Sequence, residues 1–263
     1  MKWYRIWAVS KRHLYLFPRS MDRITDLFYW PILEVVLYGY TGEWMTGESQ
    51  ATSMMIQSLL TCLIFWRIMW MASYETGLNI VDEGIQRNIA NVLSSPLMKQ
   101  EWVIAGVVIS FIKLIFMVLM MFFCVWLFYD FNILSNGLGW YWLPFMMSAA
   151  IFGWTLGFAT SSIILKLGLT AQAFSWTFAF FFVPISASYF PLELFPQWVQ
   201  YFSLCVPVTY IFEATRSLII SGTVPQGYVS ISVVLNIAYL VLALMLFNYV
   251  FERTRQRGFD HLE

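Results

Sequence analysis

The sequence predicts an all-α, polytopic membrane fold: six transmembrane helices, an N-terminal interfacial helix and a re-entrant helix pair before the last span. Three observations carry this. Residues 131–165, 167–192 and 217–251 contain no charged side chain. A hydrocarbon core about 30 Å thick needs roughly 20 apolar residues for a helix to cross it, and stretches this apolar would not stay exposed in water. Hydrophobic residues make up 60% of the chain and charged residues 11%, against about 45–50% and 25% in soluble domains. Finally, most Lys and Arg residues lie between and outside the apolar stretches.

The spans read as 24–42, 52–72, 103–128, 140–165, 169–190 and 229–251. Lys2, Arg5, Lys11, Arg12, Arg19 and Arg23 precede the first, Arg87 and Lys99 follow the second, Lys166 follows the fourth, and Arg253, Arg255 and Arg257 end the chain. Arg216 stands alone on the opposite side, so the positive-inside rule places both termini in the cytoplasm. A cell-membrane location, in a prokaryote the inner membrane, follows as the expectation. Net charge is zero, which gives no bulk attraction to nucleic acid. Cys62, Cys124 and Cys205 all fall in apolar segments and build neither a metal site nor a disulfide framework.

Residues 1–20 hold the interfacial helix. Trp3, Ile6, Trp7, Leu14 and Phe17 share one helical face and Arg5 and Arg12 another, and Pro18 ends the run. Two readings stay open: a membrane anchor, or a lever at the mouth of a permeation path. The loop 73–102 is the longest polar segment inside. Asn79 and Asp82 offer N-cap chemistry ahead of an Ile85, Ile89 and Val92 stripe, with Gln86, Arg87 and Asn88 on the other face and Ser94-Ser95-Pro96 as the stop. Such a helix either docks in a partner's groove or lies on its own chain or the membrane.

Three charges fall within the spans. Arg67 is close enough to a span end to snorkel. Glu34 and Lys113 each sit about ten residues in, about 15 Å deep, and their opposite signs suggest an intramembrane pair between spans one and three. That pair would fix packing or face substrate, unless one group is neutralised. Gly153 and Gly157 form a G-x-x-x-G, a close-packing signal expected inside the chain rather than at a dimer seam. The aromatics Phe174, Trp176, Phe178, Phe180, Phe181 and Phe182 read as packing or lipid-facing more than as a substrate platform. Residues 191–228 are too apolar for a solvated loop and too rich in proline for one span. Pro191, Pro196 and Pro207 divide them into helices near 193–204 and 207–221, a re-entrant hairpin with Glu213 and Arg216 paired at i, i+3.

In order, these pieces resemble the membrane subunit of ABC-2-type exporters across nearly the whole chain, 1–263. The residues that carry the likeness are Glu83-Gly84-Ile85-Gln86-Arg87-Asn88-Ile89-Ala90-Asn91-Val92-Leu93-Ser94-Ser95-Pro96-Leu97, similar to that family's coupling loop. With them go Tyr189-Phe190-Pro191, Leu194-Phe195-Pro196-Gln197-Trp198, Pro207-Val208-Thr209-Tyr210, Glu213-Ala214, Arg216 and Gly222, similar to its signature before the last span. The resemblance implies a permease that works with a second permease subunit, as a homo- or heterodimer, and with separate ABC ATPase subunits. It implies that Asp82, Glu83, Ile85, Gln86, Arg87, Ile89 and Val92 dock the ATPase, which binds the ATP and Mg. This chain would hold no cofactor of its own and would not be an enzyme. It has no G-x-x-x-x-G-K-S/T phosphate loop. The implied cargo is amphiphilic and moves outward: a drug, a lipid or a lipid-linked glycan. A polysaccharide or lipo-oligosaccharide is the narrower alternative. The interrupted first span, Tyr29-Trp30-Pro31-Ile32-Leu33-Glu34, looks more like that of drug and lipo-oligosaccharide exporters. An intramembrane serine protease is disfavoured because His13 and His261 lie outside the spans and Ser161-Ser162 lacks the glycine frame. No inverted repeat supports a secondary transporter.

Overall fold

The computed structural model describes residues 1–46, 50–85 and 95–257. In the described residues the regular elements are all helical. The amphipathic α1 (Trp3–Leu16) leads through a proline turn into α2 (Met21–Ile24), a π-helical stretch (Thr25–Tyr29) and α3 (Trp30–Thr46). Then follow α4 (Gln50–Ile85), α5 (Lys99–Tyr129), α6 (Trp142–Leu167), the short α7 (Phe174–Thr177), α8 (Gln197–Ser203), α9 (Pro207–Ser221) and α10 (Tyr228–Arg257).

Helix α4 is the axis of the bundle. Every residue from Leu60 to Gly77 is buried. Its 36 residues span about 54 Å at 1.5 Å per residue, well beyond the hydrocarbon thickness. The second span was expected to end near 72, with a separate helix starting near Asp82. Instead one helix runs to Ile85. The polar residues Ser73, Glu75, Thr76, Asp82 and Glu83 do not break it, because neighbouring helices bury them. No proline or glycine pair interrupts the run.

The tightest packing is between α4 and α6. A Cβ on Gly153 would lie 2.3 Å from the Met69 carbonyl oxygen and 2.6 Å from the Ala72 Cβ. On Gly157 it would lie 2.4 Å from the Thr76 Cβ and 2.8 Å from the Ser73 oxygen. One turn further on, the Ser161 hydroxyl donates to the Thr76 carbonyl at 3.2 Å. The G-x-x-x-G is therefore an intrachain seam, in which missing side chains let two backbones meet. In the same helix pair Phe65 of α4 stacks on Trp142 of α6, ring centroids 4.9 Å apart.

The six expected spans are not all continuous helices. Among the described residues four helices are long and apolar enough to cross a membrane: Ser53–Ile85, Lys99–Tyr129, Gly139–Leu167 and Tyr228–Gln256. The pair α8 and α9, bent by 104°, adds a fifth if it is counted as one crossing. Helix α3 has 17 residues. Residues 169–190 were expected to form the fifth span. They form 3-10 turns at Leu169–Ala171 and Phe178–Phe182 around α7, followed by irregular backbone. Pro184 cannot donate into a helix, and Ala187 sits in the left-handed region at φ 56°.

Broken backbone in such a setting must be satisfied by protein. The Trp70 indole donates to the Trp176 carbonyl at 3.0 Å. The Arg216 guanidinium donates to the carbonyls of Ala187 and Ser188. Phe178 and Phe182 pack on the core, whereas Trp176, Phe180 and Phe181 stay exposed.

Replacing Gly157 with Leu forces these backbones apart. The expected outcome is a loss of about 1–3 kcal/mol, the range for overpacking, read as a lowered unfolding midpoint of the purified chain in detergent. An unchanged midpoint would mean that the α4–α6 crossing does not exist in the membrane.

Candidate functional site at the α1 end of the bundle

Helix α1 lies across the end of the bundle where α4 stops and α5 begins. Its inward face is Ile6, Ser10 and His13, all buried. Trp3 and Trp7, read with Ile6 as one face of an interfacial helix, are 73% and 54% exposed, whereas Ile6 is buried. On the buried side, Ser10 donates to the Ala105 carbonyl of α5 at 3.3 Å.

Arg5 and Arg12, seven residues apart, reach the two sides of the connection between α4 and α5. Arg12 forms an ion pair with Glu83, in the last turn of α4. Arg5 donates to the Pro96 carbonyl at 2.5 Å and pairs with Glu101 of α5 at 3.5 Å. Glu101 also accepts from the backbone N–H of Lys2 at 2.6 Å and of Met98 at 3.1 Å. It thus caps α5 while holding α1. One short helix clamps both arms of the loop.

Beneath the clamp lies a buried set of charges. Arg23 donates to Asp82. The Lys113 ammonium of α5 donates to Glu75 of α4 at 2.5 Å and sits 5.2 Å from the Phe17 ring centroid. His13 has Asp82 and Glu83 carboxylates 3.9 Å from its two ring nitrogens. Burial and the cations Arg12, Lys113 and Arg23 outweigh them and push the imidazole pKa down to about 3, so the ring is neutral at physiological pH.

This arrangement corrects two expectations. Glu34 and Lys113 do not pair. Lys113 pairs with Glu75, and Glu34 pairs with Arg67 at 3.4 Å. The reason is the length of α4: it carries Glu75 inside the bundle, closer to Lys113 than Glu34 is. Nor does Arg67 snorkel. It is 3% exposed, lies 4.6 Å over the Trp70 ring and donates to the Asp26 carbonyl at 3.2 Å. Among the residues expected to dock a partner, Asp82 and Glu83 are turned inward to α1 and Arg23, away from a free surface. Ile85 is 60% exposed. Gln86, Arg87, Ile89 and Val92 lie outside the described residues.

At the other end of the bundle the expected pair is present, with Arg216 donating to Glu213 at 2.6 Å. Glu213 also accepts from the Leu192 N–H at 2.9 Å. The three prolines each start a helix. Pro191 precedes the 3-10 turn Leu192–Leu194, Pro196 precedes α8, and Pro207 opens α9.

Glu75 lies far along the chain from Arg23 and His13, and the three were not legible as members of one cluster. A signal for the clamp was available, since Arg5 and Arg12 share a helical face and Glu83 and Glu101 flank the loop. In comparisons with known proteins, the family model described as ABC-2 type transporter matches residues 4–220. No curated protein matches the chain.

Lys113→Met leaves the Glu75 carboxylate stranded, and the expected loss is roughly 3–5 kcal/mol. Glu75→Gln combined with Lys113→Met should cost less than the sum of the two single changes, read by thermal unfolding in detergent. Strict additivity would argue against the contact.

For His13 the folded pKa near 3 lies below the ordinary value of about 6.5. The unfolded state binds the proton first, so stability is full above about pH 6.5 and falls as pH drops toward 3. Between pH 7.5 and pH 5 the wild type should lose up to about 2 kcal/mol more than His13→Asn. Equal losses in the two proteins would remove His13 as the cause.

Proposed function

The chain belongs to the ABC-2 type transporter family, and from that membership we propose that it is the permease subunit of an ATP-driven exporter. The ATP and Mg are bound by a separate ABC ATPase, which docks on the loop following Asp82 and Glu83 through Ile85, Gln86, Arg87, Ile89 and Val92. A second permease subunit completes the transporter.

The observation that carries this reading is the α1 clamp. A force applied to the loop by a partner passes through Arg12–Glu83 into α4 and through Arg5–Pro96 and Arg5–Glu101 into α5. A decorative surface loop has no need of ion pairs to a buried carboxylate at both roots. The lever reading of α1 gains over the anchor reading for the same reason. Burial of Asp82 and Glu83 shifts their part from touching the ATPase to holding the loop.

Both termini are proposed to be cytoplasmic. In support, α1 meets the start of α5 through Glu101, and the end of α10 meets it through Lys99 and Glu252, 3.0 Å apart, so the two terminal helices share the Lys- and Arg-rich side. The cargo is proposed to be amphiphilic. The Glu34–Arg67 pair, with Trp70 beneath it and the Tyr38 and Tyr189 rings 5.3 Å apart nearby, sets a polar patch among aromatic surfaces.

The test is co-expression with an ABC ATPase, co-purification and efflux from vesicles. Ile85→Asp with Ile89→Asp should insert normally and lose the ATPase. Arg5→Ala with Arg12→Ala should keep the ATPase but export about tenfold more slowly, a coupling loss of ordinary size. Wild-type export by the arginine variant would dismiss the clamp as the coupling path. ATP turnover by the purified chain alone would dismiss the permease assignment.

A further inference from the structure

An apolar groove runs between α5 and α10 with α4 and α6 as its floor. It is a half-open cleft with about 270 Å³ of empty space, its open side included, walled by Trp102, Val103, Phe158 and Phe247. Thr76 and Ser161 also line it, but their hydroxyl hydrogens are already given away. Thr76 donates to the Ala72 carbonyl at 2.8 Å and Ser161 to the Thr76 carbonyl at 3.2 Å. The floor therefore asks for an apolar guest. Asn79, part-exposed at the groove beside Gly106, supplies an amide.

The rim above the groove is cationic. Glu252 has one oxygen held by Lys99 and the other by Arg255, each at 3.0 Å. Two cations around one carboxylate leave a net charge of plus one. They also leave spare donors, because an ammonium has three N–H groups and a guanidinium five. Lys99 lies 5.5 Å from the Phe251 ring, and that ring lies 6.2 Å from Trp102, so rim and groove are continuous. Glu252 is five residues beyond Phe247 on α10, about 7.5 Å at 1.5 Å per residue. That is the offset between a lipid phosphate and the first part of its acyl chain.

We propose that this groove is a specific site for an anionic phospholipid of the leaflet next to α1. One acyl chain lies along Trp102, Val103 and Phe247, and the phosphate sits on Lys99 and Arg255. With the orientation proposed above, on which only the choice of leaflet rests, that leaflet is the cytoplasmic one. The occupant ties the start of α5 to the end of α10. It therefore bears on the same α5 root that Arg5 and Glu101 hold.

The test uses the full chain in nanodiscs of phosphatidylglycerol or phosphatidylcholine, released into mild detergent, with bound lipid counted by native mass spectrometry. The wild type should keep one phosphatidylglycerol, preferred over phosphatidylcholine by about fivefold, as a net charge of plus one at the surface warrants. Val103→Trp, which fills the groove, should keep neither. Lys99→Gln with Arg255→Gln, the first part-exposed and the second exposed, should keep a lipid and lose the preference. No retained lipid in the wild type, equal retention of the two lipids, or unchanged retention by Val103→Trp with a wild-type unfolding midpoint would each overturn the proposal. Labelling of Lys166→Cys from one side of sealed vesicles fixes the leaflet independently. A reversed orientation would correct the topology and leave the lipid count intact.

Discussion

Helix α4 carries four charges in its buried length, and each is met by a different part of the chain. Arg67 is met by Glu34 of α3, Glu75 by Lys113 of α5, Asp82 by Arg23 after α1, and Glu83 by Arg12 of α1. A charge left alone in such surroundings is costly, and removing one partner of a buried pair costs roughly 3–5 kcal/mol. Apolar packing is permissive about partners, because one lipid-like surface suits another. Ion pairs are not. The ladder on α4 thus decides which helix lies at which height. The glycine seam with α6 then supplies the close contact that charge alone does not give.

The glycine seam and the helix breaks were legible in the sequence, the ladder was not, and the main misses share a cause. Helix α9 at Pro207–Ser221 falls where the proline and Gly222, left-handed at φ 72°, punctuate it. The G-x-x-x-G named its own seam. The end of α4 did not show, because Ser73, Tyr74, Glu75 and Thr76 read as a solvated loop when their buriers are far away in sequence. That single misplacement moved Glu75 out of the bundle and left Lys113 to be matched with Glu34 by depth. Likewise the apolar run 169–190 has the composition of a span, and hydropathy does not register that side chains such as Trp70 and Arg216 satisfy its broken backbone.

The two ends of the bundle use charge differently. At the α1 end, pairs join separate helices and hold both arms of a loop. At the other end Glu213 and Arg216 are neighbours on α9, and their work is turned outward onto the backbone: Arg216 serves the Ala187 and Ser188 carbonyls and Glu213 the Leu192 N–H. Without that service the irregular stretch 183–190 would present unpaired peptide groups, which is tolerable only where protein or a cavity meets them. The hairpin and the broken segment are thus one unit, fastened by one arginine and one carboxylate.

The ladder also has an order in time. A ribosome delivers the chain from its N-terminus, so when α4 emerges, Arg12, Arg23 and Glu34 have already been made. Arg67, Asp82 and Glu83 meet waiting counterions. Glu75 does not: Lys113 lies 38 residues further along. Until α5 arrives, the newborn α4 carries one acid with no base to answer it. The last rung of the ladder is thus completed only when α5 has been made, and a single lysine completes it.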